Sequence, residues 1–346
     1  MRSSGPPKPF NMRRIRTFAE AAPRLILLTG LALLTAAVSL LIGPGVSWDE
    51  VWSQVPGSTA ALILWELRLP RAVTALLVGA GLAGSGAVVQ GMLRNPLAGP
   101  EVLGISAGAG TGALVLLTWS GWPWGSSGLT LGALTGAGLT ALVILRLATV
   151  ERRTSLTGVL LAGMALSSLL AGITTLILTL HRETQVGRYL FWLVGSLENR
   201  RWEQVTLLLP CTVVALVLMV TFAGRLNILA LGETTARTLG LRVQPLKLLL
   251  LAAVVLATGA AVAVSGAIGF LGLLVPHMVR LVWGQDARWF VPLSALAGAG
   301  FLVLADALVR LVFSPFEVPV GIFTALLGAP FFLVLLVRHQ RREGGR

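Results

Sequence analysis

The sequence predicts an all-α, polytopic membrane protein of about ten transmembrane helices, and three observations carry that expectation. Of its 346 residues, 55% are hydrophobic and 12% charged, where soluble domains carry about a quarter charged residues; the mean hydropathy is +0.85. The apolar residues fall into ten runs of roughly 15–22 residues, near the ~20 needed to cross a ~30 Å hydrocarbon core. Basic residues collect in alternate connections between those runs, as they do in cytoplasmic loops.

The first span, residues 25–42, follows a basic segment and invites comparison with a signal peptide. It is longer than an ordinary signal core and further spans follow at once, so it reads as a transmembrane helix behind a disordered, basic cytoplasmic tail, residues 1–24. The second, 72–92, is rich in glycine. Its Ala80/Gly84 pair, with Gly108/Gly112 in the third span (102–119) and Gly132/Gly136 in the fourth (129–147), has the four-residue spacing that lets helices approach closely in lipid. The fifth, sixth and seventh spans are 159–180, 205–223 and 246–264. The sixth holds Cys211, the single cysteine, which permits no intrachain disulfide and reads as a small buried hydrophobe. The eighth, 268–282, is short and interrupted by Pro276, so it is tilted or broken. The ninth and tenth, 291–312 and 320–337, complete one transmembrane domain over 25–338, followed by a cytoplasmic tail at 339–346.

With the N-terminus inside, Arg68, Arg71, Arg182, Arg188, Arg200, Arg201 and Arg310 face outward and the other 20 of the 27 basic residues face the cytoplasm. Both termini are then cytoplasmic. The formal charge of +13 follows from this topology; isolated arginines between apolar runs do not build a nucleic-acid-binding face.

Several chemistries lack their residues. A chain with its own ATP motor needs a Gly-rich phosphate loop ending in Gly-Lys-Ser/Thr, and neither lysine, Lys8 or Lys247, lies in one. The three histidines are scattered, no Cys/His cluster exists, and no cofactor or resident metal is expected. An ion-coupled carrier places acidic groups at mid-depth, yet nearly all 14 acidic residues fall in loops or at span ends. Asp306 is the exception: four residues before Arg310, it either neutralises that arginine one helical turn away or serves a proton relay. His277, after Pro276, is either a hydrogen-bonded group at a kinked helix or a relay residue.

Three stretches depart from generic hydrophobic sequence. LRLPRAVTALLVGAGLAGSGAVVQGMLRNPLAGPEVLGISAGAG, residues 67–110, carries two arginines three apart and a turn with two prolines, whose irregular backbone at membrane depth needs protein or water around it. NILALGETTARTLGLRVQP, residues 227–245, can form two helical turns from Gly232 to Leu239, stopped by Gly240, with a new helix after Pro245. That short helix either folds against the bundle or is presented to a partner. The third stretch, 266–330, contains GAIGFLGLLVPHMVR, ADALVR and EVPVGIFTALLGAP.

In this order and spacing the three stretches resemble the FecCD family of ABC importer permeases, which move iron–siderophore complexes, haem or cobalamin across the bacterial inner membrane. The resemblance covers about residues 25–338. It implies a type II ABC importer permease-like bundle that works as a homodimer surrounded by lipid, with the path between two copies, two cytosolic ATPase subunits, and a periplasmic or lipid-anchored substrate-binding protein. It implies that Arg68, Arg71 and Arg310 face outward and pair with glutamates of the binding protein. It also implies that the 225–247 connection is the ATPase coupling loop, with Leu231, Gly232, Glu233, Ala236, Leu239 and Gly240 in contact. Asn95 and Pro96 carry the family's turn signature, in a role that is either functional or purely structural. Residues 152–158 resemble the segment that narrows the pore at its inner end, making Leu156 and Thr157 candidate gate residues unless the segment is a plain turn. A ferric siderophore is the expected cargo, ahead of haem and cobalamin; the rival reading is a secondary transporter driven by an ion gradient.

Overall fold

The computed structural model describes residues 18–42, 59–120, 127–150, 153–154, 156–180 and 183–344. Among these residues twelve α-helices run in chain order: α1 (Phe18–Leu41), α2 (Thr59–Leu93, with a π-helical stretch over Ile63–Arg68), α3 (Ile105–Ser120), α4 (Ser127–Ala148), α5 (Leu156–Thr179), α6 (Glu183–Leu193), α7 (Trp202–Ala230), α8 (Glu233–Thr238), α9 (Val243–Ser265), α10 (Leu271–Trp283), α11 (Ala287–Val312) and α12 (Val320–Gly344). Seven of them are long and apolar enough to cross a membrane, and α3, α10 and α12 supply shorter apolar stretches. The ten expected spans are all present as helices.

The centre of the bundle is α2 and α9, flanked by α7 and α11. Small residues set the packing distances. A Cβ at Gly86 of α2 would overlap the Gly272 carbonyl of α10, and one at Gly79 would overlap the Gly298 carbonyl of α11. Gly108 and Gly112 of α3 meet Gly132 and Gly136 of α4 backbone to backbone, as their spacing predicts. Ala80/Gly84 is not the close contact of α2; Gly79 and Gly86, which the spacing argument did not single out, make it instead. Polar pins add direction: Gln90 donates to the Leu273 carbonyl at 3.2 Å and accepts from Arg280 at 3.3 Å, tying α10 to α2.

Three elements depart from expectation. Residues 183–193 form the helix α6, which turns Tyr189 and Trp192 inward and leaves Leu190 and Phe191 exposed; its eleven residues are too few and too mixed in polarity to read as a span. The first turn of α9 starts at Val243, before Pro245, because a proline in the first turn removes an N–H that has no intrahelical acceptor there. The tail expected at 339–346 continues helical to Gly344. Most of the 1–24 tail lies outside the described residues; α1 already begins at Phe18.

Candidate functional site

Polar groups gather in two clusters along the 35-residue helix α2. Arg68 and Arg71, about a third of the way along it, belong to one, and Arg94, at its C-terminal end, to the other.

The Arg68 end is organised by Asp306 of α11. Its carboxylate accepts two bonds from Arg71 Nε, at 3.2 and 3.0 Å, and one from Arg71 Nη2 at 2.8 Å. Arg310, one turn along α11, donates to the same carboxylate at 3.1 Å. The neutralising role expected for Asp306 is therefore present, with a second arginine added. Arg310 also donates to the carbonyls of Ile42 (2.7 Å) and Ser39 (3.1 Å), and Arg68 to that of Leu40 (2.7 Å), so the arginines satisfy the last carbonyls of α1. All three are mostly buried rather than freely exposed; Arg68 retains 9% of its surface. Together they line a cavity of about 220 Å³ whose opposite wall comes from two loops, with Glu198 and Asn199 from one and Ser314 to Val318 from the other. Trp65 and Trp202 meet edge to face at 6.4 Å beside this end, as aromatic pairs do at a membrane interface.

Glu198 and Glu317 were not singled out by the sequence argument, because only the fold brings positions 198 and 317 together. Burial, then a hydrogen bond and charge repulsion from Glu317, push the Glu198 carboxyl up to about 7 against the pull of Arg71 and Arg200. Burial lowers the Arg200 guanidinium to about 10.

At the Arg94 end the chain leaves α2 through a left-handed Arg94, φ 51°. The Asn95 side chain accepts from Leu97 N at 2.9 Å and its carbonyl from Ala98 N at 3.2 Å. This Asx turn gives Asn95 a structural task, with Pro96 fixed at its second position. Gly232 lies beside this turn, its missing Cβ facing the Arg94 guanidinium, and holds φ 111°, a conformation open to glycine. Behind it α8 is short and clamped. Ala236 is fully buried, and Leu241 N donates to its carbonyl at 2.9 Å. Glu233 forms an ion pair with the fully buried Lys247 of α9 and a longer one, 3.7 Å, with Arg237. Leu231 and Leu239 stand out at more than 60% exposure, and Gly240, φ 81°, ends the loop. The six predicted loop residues thus divide: Glu233 and Ala236 face the bundle, Gly232 faces Arg94, and Leu231, Leu239 and Gly240 face away. Asp286 joins the same end, accepting from Asn227 at 2.7 Å and from Arg288 at 2.7 Å; burial works against its ionisation, and the bonds from Arg288 and Asn227 outweigh it and hold it below the usual carboxylate range.

Leu156 and Thr157 form the first turn of α5, directly after a two-strand turn pairing Thr149 with Thr154 and Val150 with Arg153. Their side chains lie outside what is described. His277 is buried, with Phe331 edge-on at 6.0 Å and the Pro96 carbonyl facing its ring. No group of three metal-ligating side chains comes together among the described residues.

Two polar clusters lie apart in one apolar bundle, and sequence comparison gives its lineage. The model of the FecCD transport family matches residues 30–338. The chain belongs to this family. Over 344 residues it is 39% identical to the cobalamin import system permease protein BtuC of Halobacterium salinarum, covering 97% of this chain and 91% of that protein. It is also 39% identical to the iron(3+)-hydroxamate import system permease protein FhuB of Bacillus subtilis, covering 92% and 84%. Among solved structures, an inward-facing transporter assigned to the metal-chelate ABC type matches with a TM-score of 0.80 at 32% identity, over 92% of this chain and 99% of that one. As a FecCD protein the chain is a multi-pass ABC transporter permease and not an enzyme; ATP hydrolysis resides in separate subunits.

Proposed function

We propose that this FecCD protein is the transmembrane subunit of a bacterial inner-membrane importer for an iron chelate. A ferric siderophore is the preferred cargo; haem and cobalamin share the required bulk. Two copies enclose the path, both termini face the cytoplasm, two ATPase subunits dock at the Arg94 end and a substrate-binding protein docks at the Arg68 end.

The observation that carries this reading is the separation of the two clusters along α2, from Arg71 to Arg94. Leu231 and Leu239 offer exposed anchors on a loop that is itself held rigidly, which suits a partner groove. The arginine cavity at the other end offers guanidiniums flanking two carboxylates, a surface that orients an acidic partner more than it binds it tightly. A path between copies finds support in α5, whose exposed face mixes Ser168, Thr175 and Thr179 with Leu161, Met164 and Leu169. These hydroxyls bond to carbonyls four residues earlier, so the face is weakly polar and free of charge, as a bulky cargo delivered by another protein requires. Asp306 held by two arginines is ill placed for the proton relay of a secondary transporter.

The test is reconstitution of the chain in liposomes with a candidate ATPase and a candidate binding protein. Hydrolysis stimulated by the chelate-loaded binding protein is expected. Purification without an ATPase, together with uptake driven by an ion gradient alone, would overturn the reading.

A further inference from the structure

Besides α2, a second helix, α9, joins the two clusters. At a rise of 1.5 Å per residue, the 23 residues of α9 span about 34 Å, and both of its ends are fastened to an element of a different cluster. At its start, Lys247 is fully buried and pairs with Glu233, the first residue of α8. At its finish, Ser196 N donates to the Ser265 carbonyl at 2.8 Å. Gly266 there packs so closely on the Trp192 carbonyl that a Cβ would overlap it. Ser196 opens the segment that supplies Glu198 and Asn199 to the arginine cavity, and Arg200 donates back to its carbonyl at 3.3 Å. The preceding Gly195 accepts from Gly321 N at 3.0 Å, which brings the start of α12 to the same joint.

The inner joint differs in kind from the outer one. Backbone contacts and close packing resist separation in any surroundings, whereas a buried ammonium is tolerated only while its carboxylate stays with it. α8 makes little apolar contact of its own: six residues long, it buries Ala236 alone. The ion pair is therefore the long-side-chain tie that adds to the bond from Leu241 N to the Ala236 carbonyl in holding α8 at the start of α9. We propose that Lys247 is the positioning residue of the coupling apparatus: its ion pair with Glu233 makes α8 and α9 one rigid body, so that displacement at the ATPase-facing loop reaches the outer cavity through α9. Lys247 touches neither cargo nor ATPase; it acts through Glu233. The inference rests on the importer reading above, and the experiment separates the two.

The experiment uses the complete importer in proteoliposomes, with ATP hydrolysis measured with and without the chelate-loaded binding protein. Lys247→Met replaces the ammonium by an apolar side chain of similar length, and α9 remains well packed. The expected result is an assembled complex with basal hydrolysis retained and the stimulation ratio lowered at least threefold, since the two ends no longer report to each other. Glu233→Gln is expected to lower the same ratio, and the exchanged pair Lys247→Glu with Glu233→Lys to restore most of it, which loss of folding would not allow. If Lys247→Met does not accumulate, Glu233→Gln, altered at a partly exposed position, carries the measurement. A wild-type stimulation ratio in Lys247→Met or Glu233→Gln would overturn the inference and leave the importer reading intact. Absence of stimulation in the wild-type complex would overturn the importer reading, and the inference with it.

Discussion

Arg71 and Asp306 form a bidentate ion pair, with Nη2 to Oδ1 at 2.8 Å, between residues 235 apart in sequence. The pair locks α2 to α11, and Arg310, sharing the same carboxylate, extends the lock to the end of α1. Removing one partner of a buried ionic network leaves the other charge uncompensated, at a cost of ~3–5 kcal/mol in well-buried cases.

Asp306→Asn is accordingly expected to destabilise the protein by about 3 kcal/mol, the lower end of that range because both arginines keep some contact with solvent. Denaturant unfolding in detergent measures it. A midpoint equal to the wild type would show that the arginines are held by the α1 carbonyls and packing alone.

A pH dependence follows from Glu198. Its carboxyl is raised from an ordinary 4.5 to about 7, so between those values the folded protein holds a proton that the unfolded chain releases. The stabilisation is complete below pH 4.5 and is lost as pH rises through about 7. The melting temperature is expected to fall between pH 5.5 and pH 8, and Glu198→Gln to flatten that slope. Glu317, Arg71 and Arg200 face the same carboxyl, and ionisation makes the whole cavity more negative beside Arg68 and Arg310. An acidic binding protein should therefore dock more weakly at pH 8 than at pH 6.

What the sequence discloses depends on the range of the interaction. Arg310 lies four residues after Asp306, so their contact follows from helical spacing, whereas Arg71 finds Asp306 only through packing of two distant helices. The same holds for Glu198 and Glu317, which share a cavity because the 194–201 and 313–319 connections end on one face. Gly108/Gly112 and Gly132/Gly136 were legible because small residues at a four-residue interval have one strong use in lipid. Gly79 and Gly86 share the glycine content of α2 but lie seven apart, a spacing whose partner helices cannot be read from one strand of sequence. The 225–247 connection is legible as a segment between glycines. Which of its residues turn inward is not, because that depends on Lys247 being buried behind it.

The division of that loop yields a direct prediction. Leu239 is mostly exposed and packs only at its edge against the bundle, so Leu239→Asp is expected to leave the thermal stability of the isolated permease within a degree or two. If the loop anchors in an ATPase groove, the same change should reduce copurification of the ATPase by tenfold or more, an anchor of that size being worth ~1–2 kcal/mol or above. Undiminished copurification would move the docking surface away from Leu239.

Gly86 tests the packing on which both clusters depend. Its Cα faces the Gly272 carbonyl so closely that even a methyl group would force α10 away from α2, and the displaced helix carries Arg280 and its contact with Gln90. Backbone atoms cannot rotate aside as a side chain can, so relief must come from movement of the whole helix. Gly86→Ala is expected to cost ~1–3 kcal/mol, the usual range for overpacking, and Gly86→Leu to prevent accumulation in the membrane. Gly138, whose added Cβ would meet open space, supplies the control: Gly138→Ala should leave both expression and melting temperature unchanged or slightly raised. Equal tolerance at Gly86 and Gly138 would show that α2 and α10 do not approach as closely as their glycines permit.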